Sequence, residues 1–214
     1  MFLENQPILQ KLYLLATWIS RLATVNLLWL AFTLLGLGIF GIGPSTAAMS
    51  AVISRWIDGD NSFSVVRLFV NVYRKHFIKT NMIFLLLAIV GAVLLFNYSF
   101  IQSNGLPMFY SILTVTMGMI HLLISIIIIP LYINNNVSVV ELFKTSTLFV
   151  IGYPVNSLII VVATSGLVMI QLFMPGLLFF FSGSAITFVV ILRIKKAIDK
   201  TRAIQDEIRE SVNV

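Results

Sequence analysis

Residues 106–130 read LPMFYSILTVTMGMIHLLISIIIIP, with no Lys, Arg, Asp or Glu and a single His, His121. Crossing ~30 Å of hydrocarbon takes about 20 apolar residues in a helix, so this stretch spans a bilayer. Residues 81–98, 154–173 and 175–192 qualify in the same way. Residues 22–42 are equally apolar and carry Asn26 as their strongly polar group. None of these stretches alternates polar and apolar residues, so they predict helices and not a transmembrane barrel.

Composition agrees. Of 214 residues, 59% are apolar and 10% charged, and mean hydropathy is +1.01. A typical soluble domain is about 25% charged, and a chain this short cannot enclose so much apolar surface in one water-solvated core. A soluble enzyme, a disordered tail and a nucleic-acid-binding domain are excluded. The chain reads as an all-α, polytopic integral membrane bundle of five or six transmembrane helices. The net charge of +6 sits between apolar spans, which suits an anionic inner-leaflet surface and not nucleic acid. The chain has no Cys, which removes disulfides, thiol catalysis, iron–sulfur clusters and Cys-zinc sites. The opening MFLENQPILQKLYLLATW does not read as a signal peptide, because it lacks a basic start and a small-residue cleavage site.

The stretch 44–57, PSTAAMSAVISRWI, admits two readings. Its 14 residues would make ~21 Å of helix, which suits an interfacial helix. Alternatively it is a short crossing that pairs with the first span. Gly43-Pro44 reads as the break, with Pro at the first helical position. Ala47 and Ala51 are among the small residues that would let two backbones approach. The basic residues favour the crossing. Lys11 and Arg21, the five between 44 and 80, Lys144, and the six after 192 all fall on one side if there are six spans, and the links near 99–105 and 173–174 carry none. By the positive-inside rule that side is cytoplasmic and holds both termini of a multi-pass cell-membrane protein.

An internal repeat supports the same arrangement. Ser64-Val65-Val66-Arg67-Leu68-Phe69 recurs 74 residues later as Ser138-Val139-Val140-Glu141-Leu142-Phe143. Each copy follows a polar turn, at 58–61 and 134–136, and precedes an amphipathic stretch and a span. This is a parallel repeat. The first amphipathic stretch, 62–80, places Val66, Phe69, Val70, Tyr73 and Phe77 on one face, with Arg67, Arg74, Lys75 and Lys79 opposite. Ser62 or Ser64 would cap it, with Asp58 and Asp60 at the positive end of its dipole. It is expected to lie flat on the inner leaflet, as a lipid anchor or a partner-docking surface. The resulting plan is an N-terminal interfacial helix at 1–21, a hairpin at 22–57, an elbow at 62–80, a hairpin at 81–130, a second elbow at 137–150, a hairpin at 154–192 and a cytoplasmic tail helix at 193–214. The tail carries a thin apolar stripe from Ile194 to Val212, with Lys195–Asp199 and Arg202–Asp206 spaced for ion pairs.

Little in the spans suggests chemistry. His121 is a functional candidate by its position, yet no acidic partner lies in any span, so a neutral imidazole bonded to a neighbouring helix is expected. His76 reads as interfacial, and two distant His residues do not make a metal site. No paired carboxylates and no Gly-x-Ser-x-Gly elbow are present. No catalytic residue, metal or cofactor is expected. Asn26 and the other span polar groups read as interhelical bonds.

Asn26-Leu27-Leu28-Trp29-Leu30 followed by Gly41-Ile42-Gly43-Pro44-Ser45-Thr46-Ala47-Ala48 resembles the N-terminal signature of the YesL family of small bacterial membrane proteins, a domain of unknown function. Phe69, Tyr73-Arg74-Lys75-His76-Phe77 and Asn81 are also similar to it. Members occur in Firmicutes, where their genes commonly neighbour those for carbohydrate ABC transporters, sugar sensors and glycoside hydrolases. The resemblance implies a non-catalytic accessory or regulatory role near sugar uptake, with ABC permease or ATPase subunits as partners. It brings no activity, ligand or catalytic residue with it. A small stand-alone transporter or channel is the alternative, resting on the repeat and His121. The chain does not look like an ABC permease, since it has no Glu-Ala-Ala loop.

Overall fold

The computed structural model describes residues 7–134 and 138–212. Among them all regular structure is helical: α1 (Pro7–Leu35), α2 (Ile39–Ile57), α3 (Val65–Ser103), α4 (Met108–Asn134), α5 (Val139–Gly152), α6 (Pro154–Phe173), α7 (Pro175–Phe181) and α8 (Ser184–Val212). Four helices are long and apolar enough to cross a membrane, at Ile8–Leu35, Val65–Ser103, Met108–Ile133 and Pro154–Phe173. A fifth crossing is available if α7 and α8, bent by 56° at their junction, act as one broken span.

The first turn differs from the expectation. The chain breaks at Gly36–Gly38, where Leu37 (φ 57°) and Gly38 (φ 75°) are left-handed, and not at Gly43-Pro44. Pro44 therefore sits inside α2. It has no N–H to donate to the carbonyl four residues back, which is that of Phe40. Asn81 Nδ2 donates to this carbonyl at 3.0 Å from α3. Asn81→Leu is expected to orphan the Phe40 carbonyl and destabilise the protein by roughly 1–2 kcal/mol. Thermal unfolding in detergent would measure it, and an unchanged midpoint would show that the bond contributes nothing.

α2 is longer than its sequence suggested. Its 19 residues extend ~28 Å back beside α1, from Leu35 to the level of Arg21, whose guanidinium lies 5.4 Å from the Trp56 ring. Twelve of the 19 residues are buried, so protein surrounds this helix and its Ser and Thr residues are tolerated. It is not apolar enough to qualify as a span alone. Its two faces serve two cores. Ala48, Met49, Val52, Ile53 and Trp56 pack with Val25, Phe69 and Ile191. Ala47 packs with Ile83, Leu87 and Ile127–Ile129.

The small residues of α2 are thus placed differently than expected. A methyl group on Gly43 would lie 3.1 Å from the Phe84 ring and 3.3 Å from Thr80, both on α3. Gly43 and Ala47 let α2 approach α3 and α4, not α1, and Ala51, half-buried, lines a cavity. The close approach to α1 is made by Gly36 and Gly41.

The elbow at 62–80 and the span from 81 form one continuous 39-residue helix, α3. No Pro interrupts it between residues 65 and 103. Phe69 is fully buried under α2, and Tyr73 packs on Phe32 with its hydroxyl donating to the Phe32 carbonyl at 3.2 Å. Part of the apolar face expected to meet lipid is covered by protein instead: Phe69 is buried and Val70, Tyr73 and Phe77 are half-buried, while Val66 stays exposed. Ser64 is the N-cap residue, extended but without a side-chain cap bond. Likewise 1–21 is not a separate interfacial helix, since α1 runs unbroken from Pro7 to Leu35.

The second repeat copy departs from the first after one shared feature. Ser138 is again the N-cap and accepts from Glu141 N at 3.3 Å. α5 then stops at Gly152, because Tyr153 precedes Pro154 and leaves the helical region (φ −122°, ψ 61°). Met174 before Pro175 breaks α6 from α7 by the same device. The turn at 134–136 and the start of the elbow at 137 fall largely outside the described residues. The tail continues α8 without a break. Lys195 pairs with Asp58 of α2 and not with Asp199.

Candidate functional site

Side chains from α1, α2, α8 and the loop between α2 and α3 converge at the C-terminal end of α2. Arg21 Nη2 donates to Asn61 Oδ1 at 2.7 Å. Lys195 Nζ donates to the Ser54 carbonyl at 3.0 Å and also to Asp58 Oδ1. Asp60 Oδ1 accepts from the Ser62 backbone N–H at 2.9 Å and from its hydroxyl at 2.7 Å. These two bonds, the backbone one foremost, and the charge of Arg55 hold the Asp60 carboxyl below the usual carboxylate range. Arg55 lies 3.8 Å from Asp60 and over the Phe63 ring.

This cluster borders a cavity of about 290 Å³ lined by Ala51, Ser54, Arg55 and Asp58 of α2, Leu68, Val72 and His76 of α3, and Ile133 of α4. His76 Nδ1 is 2.6 Å from the Tyr132 hydroxyl, and Lys79 lies 4.6 Å from the centre of the Tyr132 ring. Sequence reasoning placed His76 at the interface and Asp58 at a helix dipole, and passed over Tyr132 and the pairings of all three. Their partners are 56 and 137 residues away, and no local spacing marks such pairs.

The predicted basic face divides. Arg67, Arg74 and Lys75 are exposed, with Asn71 between them, while Lys79 folds over Tyr132. The three exposed cations lie across α3 from Phe69, Val72 and Tyr73, which pack against α1 and α2.

His121 lies elsewhere, in a groove of about 810 Å³ between α3 and α4. Its Nε2 would be 3.3 Å from a methyl group on Gly91, and its ring makes no hydrogen bond among the described residues. Thr114 in the same groove donates to Asn97 Oδ1 at 3.1 Å. The groove is otherwise apolar, with Gly91, Ala92 and Gly118 in its walls.

Asn26 is fully buried and holds the α7–α8 break together. Its Nδ2 donates to the Phe179 carbonyl at 2.8 Å, and its Oδ1 accepts from the N–H groups of Gly183 and Ser184, each at 3.0 Å. Gln171 Nε2 donates to the Phe181 carbonyl at 3.2 Å. A helix broken inside hydrocarbon must have its freed backbone groups satisfied by protein, and these two side chains do so. The structure brings neither His121 nor Asn26 to the charged cavity.

The family described as "Protein of unknown function, DUF624" matches residues 22–98, which comprise the C-terminal half of α1, all of α2 and most of α3. Three relatives come from Bacillus subtilis (strain 168). The uncharacterized protein YteU is 31% identical over 87% of this chain and 84% of its own length. The uncharacterized protein YesV is 28% identical over 86% and 90%. The uncharacterized protein YesL is 28% identical over 81% and 83%. No solved structure matches. Sharing 31% of its residues with YteU along nearly the whole of both chains, this helical membrane protein belongs to the DUF624 family, as its YesL-like signature implied.

Proposed function

We propose that the protein is a non-catalytic accessory or regulatory component of a carbohydrate-uptake system in the cell membrane. Its partners on this reading are ABC permease or ATPase subunits, and both termini are cytoplasmic. The observation that carries the reading is the first four turns of α3. Phe69, Val72 and Tyr73 pack against α1 and α2 on one side, leaving Arg67, Arg74 and Lys75 exposed on the other. Lipid attraction alone asks only for charge near the surface, roughly 1 kcal/mol per residue. A fixed helix that displays three cations in register also suits an acidic protein surface. The link to carbohydrate uptake rests on the YesL-family resemblance.

Replacing Arg67, Arg74 and Lys75 together with Gln tests the docking surface. The triple variant is expected to insert normally and to lose permease or ATPase subunits in a mild-detergent pull-down. Undiminished co-purification would reject docking through this face. Sugar transport by the purified chain in liposomes without partners would reject the accessory role in favour of a stand-alone transporter.

A further inference from the structure

We propose that the cavity at the end of α2 binds a phosphate ester, with Arg55 and His76 as the groups that hold the phosphate. The cavity lies where the apolar part of α4 ends at Ile133.

Both groups keep hydrogen-bonding capacity beyond the contacts they already make. Asp60 Oδ1 is committed to Ser62, and the Arg55 guanidinium stands 3.8 Å from Asp60 Oδ2. That is beyond normal N–H···O reach, so the planar fork of Arg55 keeps its capacity for a bidentate oxyanion. The Tyr132 hydroxyl, at 2.6 Å, occupies His76 Nδ1. With the phenol donating, Nδ1 is the acceptor and the proton resides on Nε2, which keeps its donor capacity. Lys75 and Lys79 flank His76 in sequence, and both add positive potential at this end of α3.

Asp58 also lines the cavity, but Lys195 offsets its charge through a direct bond that fixes its position. Asp60 in the same way faces Arg55, so the positive excess around the cavity comes from Lys75 and Lys79 beside His76, and it favours an anion. Leu68, Val72 and Ile133 supply an apolar wall, which a bare ion would leave unused and the organic stem of an ester would cover. A volume of about 290 Å³ accommodates a glycerol phosphate group. Two sources share this chemistry: the headgroup of an anionic phospholipid and a free phosphate ester.

The full chain, purified into phosphatidylcholine nanodiscs, is titrated with glycerol 3-phosphate and inorganic phosphate. In parallel it is placed in nanodiscs containing phosphatidylglycerol, and retained lipid is read by native mass spectrometry. Binding of glycerol 3-phosphate in the first arm identifies a free ester. Retention of phosphatidylglycerol without it identifies a lipid. In either case Arg55→Gln is expected to weaken binding at least tenfold. Ala51→Leu, which fills the cavity from a half-buried position, is expected to do the same with its unliganded melting temperature maintained. If Arg55→Gln fails to fold, Ala51→Leu carries the test. No binding in either arm, or binding by Ala51→Leu equal to that of the unsubstituted chain, overturns the proposal.

Discussion

Asn26→Leu is expected to be the most damaging single substitution in the spans. Leu matches Asn closely in volume, so the loss is one of hydrogen bonds and not of packing. The Phe179 carbonyl and the N–H groups of Gly183 and Ser184 lose their partner together. Each orphaned buried group costs roughly 1–3 kcal/mol. With partial relaxation, the total is on the order of 4 kcal/mol. The α7–α8 junction has no water to turn to if it lies in hydrocarbon. The expected result is little folded protein in the membrane fraction and, for what survives, a sharply lowered unfolding temperature in detergent. Gln171→Leu orphans only the Phe181 carbonyl and should cost about 1 kcal/mol. Equal effects for the two substitutions would show that Asn26 does not organise the break.

Gly41→Ala is expected to open the α1–α2 turn. A methyl group there would sit 2.3 Å from the Thr33 carbonyl oxygen and 2.6 Å from Thr33 Cα. Both atoms are backbone, so no side chain can rotate aside. The two helices must separate, which also stretches the 3.0 Å bond from Trp29 Nε1 to Thr46 Oγ1. An overpacked site costs typically 1–3 kcal/mol and sometimes more, and backbone overlap belongs at the upper end. A fall of roughly 10 °C in unfolding temperature is expected for a chain of this size. Gly118→Ala is the control, since nothing lies within 4 Å of a methyl group at that position. Comparable midpoints for the two variants would mean that the turn tolerates the separation.

Both residues were visible in the sequence, but their work was not. Asn26 stood out as a strongly polar group in an apolar stretch, which is enough to expect an interhelical bond. That it caps the start of α8 depends on contacts more than 150 residues apart. Gly41 was noted as part of a signature, while the turn itself was assigned to Gly43-Pro44. Pro disrupts a helix interior partly by removing a hydrogen bond, whose acceptor then needs another donor. Here Asn81 supplies one from α3, so α2 continues through Pro44.

The sequence by itself determined that the protein is a bundle of membrane helices, where most of its apolar stretches lie and which family it resembles. Those conclusions follow from hydropathy and length, which are properties of the chain taken in order. Tertiary structure alone decided that α2 is enclosed by protein, that the basic stretch is the rigid beginning of α3, and that Ala51, Arg55 and His76 border one cavity. Hydropathy records how apolar a segment is but not what covers it. A helix with several Ser and Thr residues reads as a poor span until twelve of its 19 residues are found buried against neighbours. An amphipathic face reads as lipid-facing until Phe69 is found beneath α2. The bond between His76 and Tyr132 joins side chains 56 residues apart, a distance over which only the folded packing of α3 on α4 sets who meets whom.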